Sequence, residues 1–183
     1  MFNLKSIRFT FTALALLSFG AVALAQGKDP RNAVQNFFSL LKTQKYAELY
    51  DALPAELQKQ TTREQTIAGL NRLGAFIAVE RLEVGRVQQR GDFAVVDTTI
   101  YGTLKKPMNF NGEEIKEGRT SVQQYLLKEN GKWKVASADN RSQDFFLKRN
   151  PDFKKQFQLT TPQFAFKQLG QWKAMGQPPR PPR

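Results

Sequence analysis

The sequence predicts an α+β domain whose N-terminal helices pack against one face of a curved antiparallel sheet. Apolar residues recur at helical spacing between residues 30 and 74. From residue 77 onward, alternating β-branched and aromatic residues are typical of strands. Asn130-Gly131 then joins two alternating apolar runs, and both residues tolerate the positive φ of a tight hairpin turn. Helices followed by strands is the order expected of this fold class.

The N-terminal segment, residues 1–25, has the three parts of a secretory signal. Lys5 and Arg8 precede an apolar run, and Ala23-Leu24-Ala25 provides the small-x-small pattern of a cleavage site. We expect cleavage after Ala25 and a secreted or periplasmic protein. An uncleaved membrane anchor is the alternative, although the apolar stretch is at the short limit for a membrane span.

The chain of 183 residues contains neither cysteine nor histidine. Disulfides, thiolate metal sites and cysteine nucleophiles are therefore excluded. The commonest general base and the commonest metal ligand are also missing, so we expect no bound metal and no cofactor. The formal charge of +12 is unevenly spread. Residues 26–140 carry 17 basic and 14 acidic side chains, whereas residues 141–183 carry 9 basic and 2 acidic ones.

Two signals predict the first helices. Asp29-Pro30 is typical of a helix start, because the Asp oxygen caps a free N–H and Pro lacks the N–H that would stay unpaired. Apolar residues at helical spacing follow this start. Further short helices are predicted over residues 46–53 and from Pro54 onward, so the first part of the domain is helical.

The last of the N-terminal helices has a marked start and a marked end. Thr62 is followed three residues later by Gln65, which is the spacing of a capping box. Gly74 is predicted to end the helix in a left-handed conformation. The apolar period then changes from helical to alternating, and we expect the first strand to be interrupted by a bulge near Glu80-Arg81.

The remaining strands are predicted from residue 93 onward. Residues 93–104 are rich in β-branched and aromatic side chains. Residues 107–118 are predicted to form a polar connection, and the hairpin over residues 120–139 follows it. An isolated hairpin cannot bury its apolar side chains, so we expect a sheet of about four antiparallel strands covered by the helices.

Residues 141–176 are predicted to form a basic, aromatic and helical C-terminal extension. Short helices are expected over residues 142–149, from Pro151 to Phe157, and from Phe164 to Met175, where Thr161-Pro162 resembles another helix start. Residues 177–183 read QPPRPPR, which is typical of a disordered, extended tail.

Three stretches resemble the nuclear transport factor two-like superfamily, which includes ketosteroid isomerase and small polyketide cyclases of the SnoaL-like type. They are the aromatic pair within Asn36–Leu41, the segment Gln44–Tyr50 and the hairpin Leu126–Val135. The resemblance covers about residues 29–140, within a domain that we place at 26–140. It implies a cystatin-like cone, in which a strongly bent sheet wraps over the helices and leaves a pocket at its mouth. Because this superfamily hosts unrelated activities, it does not specify a function.

Two pairs of side chains are candidates for a ligand or catalytic site. Asp97 and Tyr101 share one face of a strand, where a carboxylate base and a phenol donor would suit an isomerase, dehydratase or cyclase. The alternative is that this face meets solvent. Tyr46 and Tyr50 lie one helical turn apart, and they either line a pocket or fill the core.

Aromatic and basic residues alternate along the extension. This pattern is typical of segments that bind an anionic surface or a single strand of nucleic acid. Export argues against nucleic acid and leaves an anionic cell-envelope surface as the partner. The alternative is that the rings dock the extension on the domain while the cations face water. The candidate polyanion contacts are Lys148, Arg149, Lys154, Lys155, Lys167 and Lys173.

The hypothesis favoured by the sequence is an exported, non-catalytic domain that binds a small ligand or a protein partner through its pocket or a sheet face. The pocket enzyme using Asp97 and Tyr101 is one alternative, and the polyanion binder is another. The identity of the ligand or partner is not predicted. The resemblance also implies that two copies could pair through their sheets.

Overall fold

The computed structural model describes residues 29–110, 112–137 and 139–174. The predicted signal segment and the proline-rich tail lie outside these residues, so both remain predictions. The described chain contains four helices, then four strands, then two helices and two further strands. The first eight elements are α1 (Pro30–Lys42), α2 (Tyr46–Asp51), α3 (Ala55–Gln60), α4 (Arg63–Phe76), β1 (Ile77–Arg90), β2 (Phe93–Phe110), β3 (Glu113–Glu129) and β4 (Lys132–Ser137). The last four are α5 (Asn140–Arg149), α6 (Phe153–Gln156), β5 (Gln163–Gln168) and β6 (Gln171–Ala174).

The predicted helix starts are confirmed. The Asp29 side chain accepts a hydrogen bond from the backbone N–H of Arg31 at 2.9 Å, with Pro30 as the first helical residue. At the start of α4, Thr62 and Gln65 form both hydrogen bonds of a capping box. Each cap satisfies backbone N–H groups that have no partner within the helix.

The predicted end of α4 at Gly74 is wrong. The helix continues through this residue to Phe76, and Gly74 is not among the residues with positive φ. The reason for glycine here is close packing, because a Cβ at this position would lie 2.6 Å from the hydroxyl of Tyr46.

The six strands form one antiparallel sheet in the order β1-β2-β3-β5-β6, and β4 also pairs with β3. Residues 124–129 of β3 pair with β4, and residues 118–121 pair with β5. The two strands therefore share one long edge of β3. The α+β class with N-terminal helices and a curved sheet is confirmed, with two more strands than the sequence predicted.

The turns and irregularities follow the sequence in part. Asn130 and Gly131 have φ of 50° and 75°, which confirms the tight hairpin turn. The bulge predicted near Glu80-Arg81 is confirmed by a register shift between Val79 and Arg81. The polar connection predicted over residues 107–118 is wrong, because β2 and β3 extend through it as a long hairpin. Polar side chains are tolerated there, since most of this arm is exposed.

The inner face of the sheet packs against α1 and is filled by side chains. The strand residues that face it alternate along β2, as Ala94, Val96 and the partly buried Ile100 do. The buried members of this inner core are Ala33, Val34, Phe37, Phe38, Leu40, Leu49, Ala94, Val96, Leu126, Trp133 and Val135. The interior of the cone beside α1 is therefore a packed core.

The C-terminal extension covers part of the opposite, outer face of the sheet. Helices α5 and α6 bring a second apolar cluster there, made of Val95, Tyr125, Leu127, Ala136, Phe145, Phe146, Phe153 and Phe157. The helix predicted from Phe164 to Met175 is wrong, because this segment forms β5 and β6. The free edge of β3 beyond β4 offers it backbone partners, and the reversal occurs at Leu169-Gly170, both with positive φ.

Within the described residues, no helix combines the length and the hydropathy needed to cross a membrane.

Candidate functional site

A cleft of about 510 Å³ opens on the outer face beside the C-terminal extension. We call it the outer cleft. Strands β1, β2 and β3 form its floor, and the segment Thr160–Gln163 forms one wall. Its lining residues are Glu83, Val84, Gly85, Asp97, Thr98, Thr99, Ser121, Val122, Gln123, Thr160, Thr161 and Gln163. Polar side chains dominate this lining, in contrast to the apolar inner core.

The floor of the outer cleft carries a pair of hydroxyl groups. Thr99 and Ser121 are directly opposite each other on β2 and β3. Their side-chain oxygens are 3.2 Å apart, and both residues are partly exposed. Because a hydroxyl can donate and accept, this pair can meet either kind of polar ligand group.

Gln123 closes one end of the outer cleft by binding the extension to the sheet. Its amide nitrogen donates to the carboxylate of Asp97 at 2.8 Å and to the carbonyl of Gln158 at 2.9 Å. Its amide oxygen accepts from the backbone N–H of Thr160 at 2.9 Å. The side chain is almost fully buried, at 2% exposure, and is paired through both polar atoms. This contact holds the wall of the cleft at a defined place.

The carboxylate of Asp97 is already engaged. Besides the bond from Gln123, it forms an ion pair with Arg86, whose Nε lies 3.4 Å away. The Asp97 side chain is about one-third exposed, at 34%. Arg86 also donates to the side chain of Gln158 at 2.6 Å, so the acid and its arginine both support the attachment of the extension.

Four side chains beyond the lining of the outer cleft form a group near Glu83 that we call the arginine–aromatic row: Arg81, Tyr101, Trp172 and Arg119. The guanidinium of Arg81 lies 3.7 Å from the centre of the Tyr101 ring. The rings of Tyr101 and Trp172 meet edge to face at 5.8 Å, and Arg119 lies 4.8 Å from the centre of the Trp172 ring. Arginine over an aromatic face is attracted by the negative face of the ring.

Glu83 joins this row to the cleft. Its carboxylate accepts a hydrogen bond from the Tyr101 hydroxyl at 3.0 Å and forms a short contact with Arg81. The hydrogen bond from Tyr101, helped by the hydrogen bond and charge of Arg81, lowers the pKa of Glu83 below its ordinary 4.5 against a smaller opposing desolvation. Desolvation lowers the pKa of Arg81. The hydrogen bonds and charges of Glu83 and Tyr101 together outweigh this effect, so the pKa of Arg81 is raised.

Sequence reasoning correctly placed Asp97 and Tyr101 on one face of β2, together with Phe93, Val95 and Thr99. The structure does not bring the two candidate groups together as an acid–base pair. Asp97 lines the outer cleft, whereas Tyr101 turns to Glu83 and Trp172. The two residues therefore have different partners, and the geometry gives no support to a shared substrate position.

Tyr46 and Tyr50 take part in packing and internal hydrogen bonds. Tyr46 is buried and lines a small cavity of about 70 Å³ beside Gly74. The hydroxyl of Tyr50 donates to the carbonyls of Gln58 at 2.8 Å and Thr61 at 3.2 Å. Neither ring lines the outer cleft.

A second cleft, of about 370 Å³, opens at the margin of the inner core between α1, α2 and β4. The side chains of Glu48, Asp51, Lys132 and Lys134 surround it. Lys134 already donates to the carbonyl of Asp51 at 2.5 Å. The residues that line this second cleft do not include an arginine stacked on an aromatic ring, as the arginine–aromatic row does.

The six candidate polyanion contacts of the extension divide into two groups. Arg149, Lys155 and Lys167 form ion pairs with acidic side chains. Lys148, Lys154 and Lys173 are exposed and form no ion pair with the described residues. Most of the extension's rings are buried against the sheet, so they are not available to stack on a polyanion.

Sequence reasoning missed Arg81, Glu83, Arg119 and Gln123 as site residues. All four lie on strands at positions that look like ordinary solvent-facing polar residues. A signal was available in the register, because the outward positions of β1, β2 and β3 fall opposite one another once the hairpins are aligned. Trp172 could not be predicted as a neighbour of these residues without knowing that β6 joins the same sheet.

No group of three histidine, cysteine or acidic residues suited to holding a metal ion occurs in the part of the chain that the structure describes.

No family model and no curated protein matches the chain. Among solved structures, it is similar to one assigned as an NTF2-like transpeptidase from Campylobacter jejuni, with 16% identity and a TM-score of 0.38 over 58% of this chain and 96% of that one. It is also similar to one assigned as a calcium/calmodulin-dependent protein kinase II association domain from Xanthomonas campestris, with 17% identity and a TM-score of 0.36 over 61% of this chain and 86% of that one. These likenesses concern the fold alone.

Proposed function

We propose that this protein is an exported, non-catalytic domain that binds a small polar ligand in the outer cleft. The observation that carries the proposal is the cleft itself, whose lining is polar and whose wall is held by the hydrogen bonds of Gln123. Its volume of about 510 Å³ lies in the range of small-molecule sites. Export is inferred from the N-terminal signal pattern.

Binding is favoured over catalysis by the state of the acidic groups. A general base must be oriented toward the substrate proton within hydrogen-bond reach, and a carboxylate held by protein partners is less free to adopt that orientation. Asp97 is occupied by Arg86 and Gln123, and Glu83 is occupied by Tyr101 and Arg81. Both carboxylates are therefore suited to holding the walls in place.

The experiment is a titration of the ¹⁵N-labelled mature protein, residues 26–183, followed by amide NMR shifts. A panel of monosaccharides, amino acids and dipeptides serves as probes. We expect at least one probe to shift the amides of Thr99, Ser121 and Thr160 in a saturable way and to be recovered unchanged. The replacement Ser121→Trp, which fills the cleft, should abolish these shifts.

The matched control is Gln89→Trp, which adds the same ring at an exposed position of β1 outside the cleft. It should bind the probe as the unchanged protein does. Saturable shifts confined to the second cleft, or equal binding by Ser121→Trp and Gln89→Trp, would contradict the proposal. Conversion of the bound probe would contradict its non-catalytic part.

A further inference from the structure

We infer that the ligand of the outer cleft is a small hydroxylated anion, such as an acidic monosaccharide, and that Arg119 binds the negatively charged group of this ligand. This inference rests on the proposed function and adds the chemical class of the ligand. The outer cleft supplies the hydroxyl partners, and the arginine–aromatic row supplies Arg119, which has no ion-pair partner among the described residues.

The charged groups around the outer cleft are not all paired. Asp97 is paired with Arg86, and Glu83 is paired with Arg81. Arg119 is the third arginine, and its charge acts on Glu83 only beyond ion-pair distance. Of these two acids and three arginines, Arg119 alone therefore has no ion-pair partner among the described residues.

Arg119 lies next to the residues of the outer cleft along β3. It is paired with Tyr101 in the β2–β3 register, and Ser121 is the next residue of β3 on the same face. Outward residues two apart on a strand are about 7 Å from each other. A ligand that touches the Ser121 hydroxyl can therefore place a carboxylate or phosphate beside the guanidinium.

The guanidinium is also held in a suitable orientation. It lies 4.8 Å from the centre of the Trp172 ring, and Trp172 is itself supported by the edge of Tyr101. Stacking over an aromatic ring restricts an arginine while leaving its N–H groups free to donate to an anion in pairs. Less side-chain freedom is then lost when an anion binds.

The remaining lining favours hydroxyl groups on the same ligand. Thr99 and Ser121 lie on the floor, and Thr160 and Thr161 lie on the wall. These groups can both donate and accept, as sugar hydroxyls do. A cationic ligand is disfavoured, because both acidic groups of the lining already have arginine partners.

The test compares four probes by amide NMR titration of the mature protein: glucuronate, glucose 6-phosphate, glucose and inorganic phosphate. We expect the two acidic sugars to bind at least about tenfold more tightly than glucose, since a tenfold change corresponds to one good charged contact. The two acidic sugars distinguish a carboxylate ligand from a phosphate ligand. Arg119→Gln should remove the preference and bring all sugars within about twofold of glucose.

The control is Arg90→Gln, which removes one positive charge from an exposed arginine at the far end of β1. It should keep the preference for acidic sugars, which shows that the effect is local. Equal affinity for glucuronate and glucose, or an unchanged preference in Arg119→Gln, would overturn the inference while leaving the proposed function intact. Absence of binding by all four probes would also overturn it, whereas the proposed function is decided separately by the Ser121→Trp comparison.

Discussion

Glu83 shows how an exposed strand residue acquires specific partners once the sheet is assembled. It accepts the Tyr101 hydroxyl and contacts Arg81, and those two partners lie on different strands. The hydrogen bond and the opposite charge favour its ionised form. A lowered pKa means that the contact stabilises the folded state above the unfolded pKa of about 4.5 and loses this effect as pH falls through the folded pKa.

We predict that the Glu83 carboxyl titrates below pH 4.5 and that Tyr101→Phe moves its midpoint upward, toward that value. The reason is that the phenylalanine ring keeps the packing against Trp172 but lacks the hydroxyl donor. Carbon-detected NMR of the glutamate side chains measures both midpoints. The matched control is Tyr50→Phe, which removes a hydroxyl that donates to Gln58 and Thr61 and should leave the Glu83 midpoint unchanged. An unchanged Glu83 midpoint in Tyr101→Phe would show that the hydroxyl is not its main partner.

At the scale of elements, a comparison of two glycines distinguishes the effect of backbone conformation on stability from the effect of side-chain packing. Gly131 has a φ of +75° in the β3–β4 turn, whereas Gly69 lies within α4 and has an ordinary helical φ. An added Cβ meets nothing within 4 Å at either site. Any difference between the two alanine variants therefore comes from the backbone.

We predict that Gly131→Ala lowers the free energy of unfolding by about 1 kcal/mol, because alanine is strained at positive φ. Gly69→Ala should raise it by about 0.5–1 kcal/mol, because alanine is the better helix former. Urea denaturation followed by circular dichroism measures both changes. Changes of the same sign in the two variants would contradict the assigned turn or helix.

The docking of the C-terminal extension depends on its buried rings. Phe146 is completely buried, and its ring packs against the rings of Phe93 and Tyr125 from the sheet. Phe164 belongs to the same extension but is 52% exposed on β5. Substitutions of Phe146 and Phe164 therefore compare a ring that is buried against the sheet with a ring that is largely exposed.

We predict that Phe146→Ala lowers the free energy of unfolding by about 3–5 kcal/mol, as expected for removing a buried aromatic ring. Phe164→Ala should change it by less than about 1 kcal/mol, since little of its burial is lost. Denaturant titration gives both values, and proteolysis between α5 and β5 reports whether the extension detaches. Similar losses in the two variants would contradict this mode of docking.

At the scale of the whole molecule, the extension is a structural part of the sheet as well as a basic segment. It covers the outer face with α5 and α6 and then adds β5 and β6 to the edge of β3. Its crossing segment also forms the wall of the outer cleft. Removing residues 141–183 would therefore expose Val95, Tyr125 and Leu127 and delete part of the proposed site.

We predict that the full-length precursor, expressed in a bacterium with two membranes, is found in the periplasm with Gln26 as its first residue. The basic start, the apolar run and the Ala-x-Ala pattern are the features that a signal peptidase reads. Cell fractionation and intact-mass spectrometry measure the location and the mature terminus. A variant with Ala23→Leu and Ala25→Leu should remain uncleaved. Cytoplasmic protein with its first 25 residues intact would contradict the assignment.

Features that depend on neighbours a few residues away could be predicted from the sequence. The caps at Asp29 and Thr62 and the Asn130-Gly131 turn are examples, because each is a short-range match between side-chain chemistry and backbone conformation. Periodicity likewise predicted the face shared by Asp97 and Tyr101. The same local reasoning failed at Gly74, where a contact with Tyr46 sets the residue, and at residues 163–174.

The partners that meet across the sheet depend on the assembled fold and could not be predicted from local sequence. The segment from Phe164 onward forms strands because the free edge of β3 supplies backbone hydrogen-bond partners that no local signal announces. In the same way, Asp97 is paired through Gln123 to a segment of the distant extension, and Arg119 meets Trp172 only because β6 joins the sheet. Contacts between residues far apart along the chain depend on the assembled fold, so they lie beyond what periodicity and capping rules can specify.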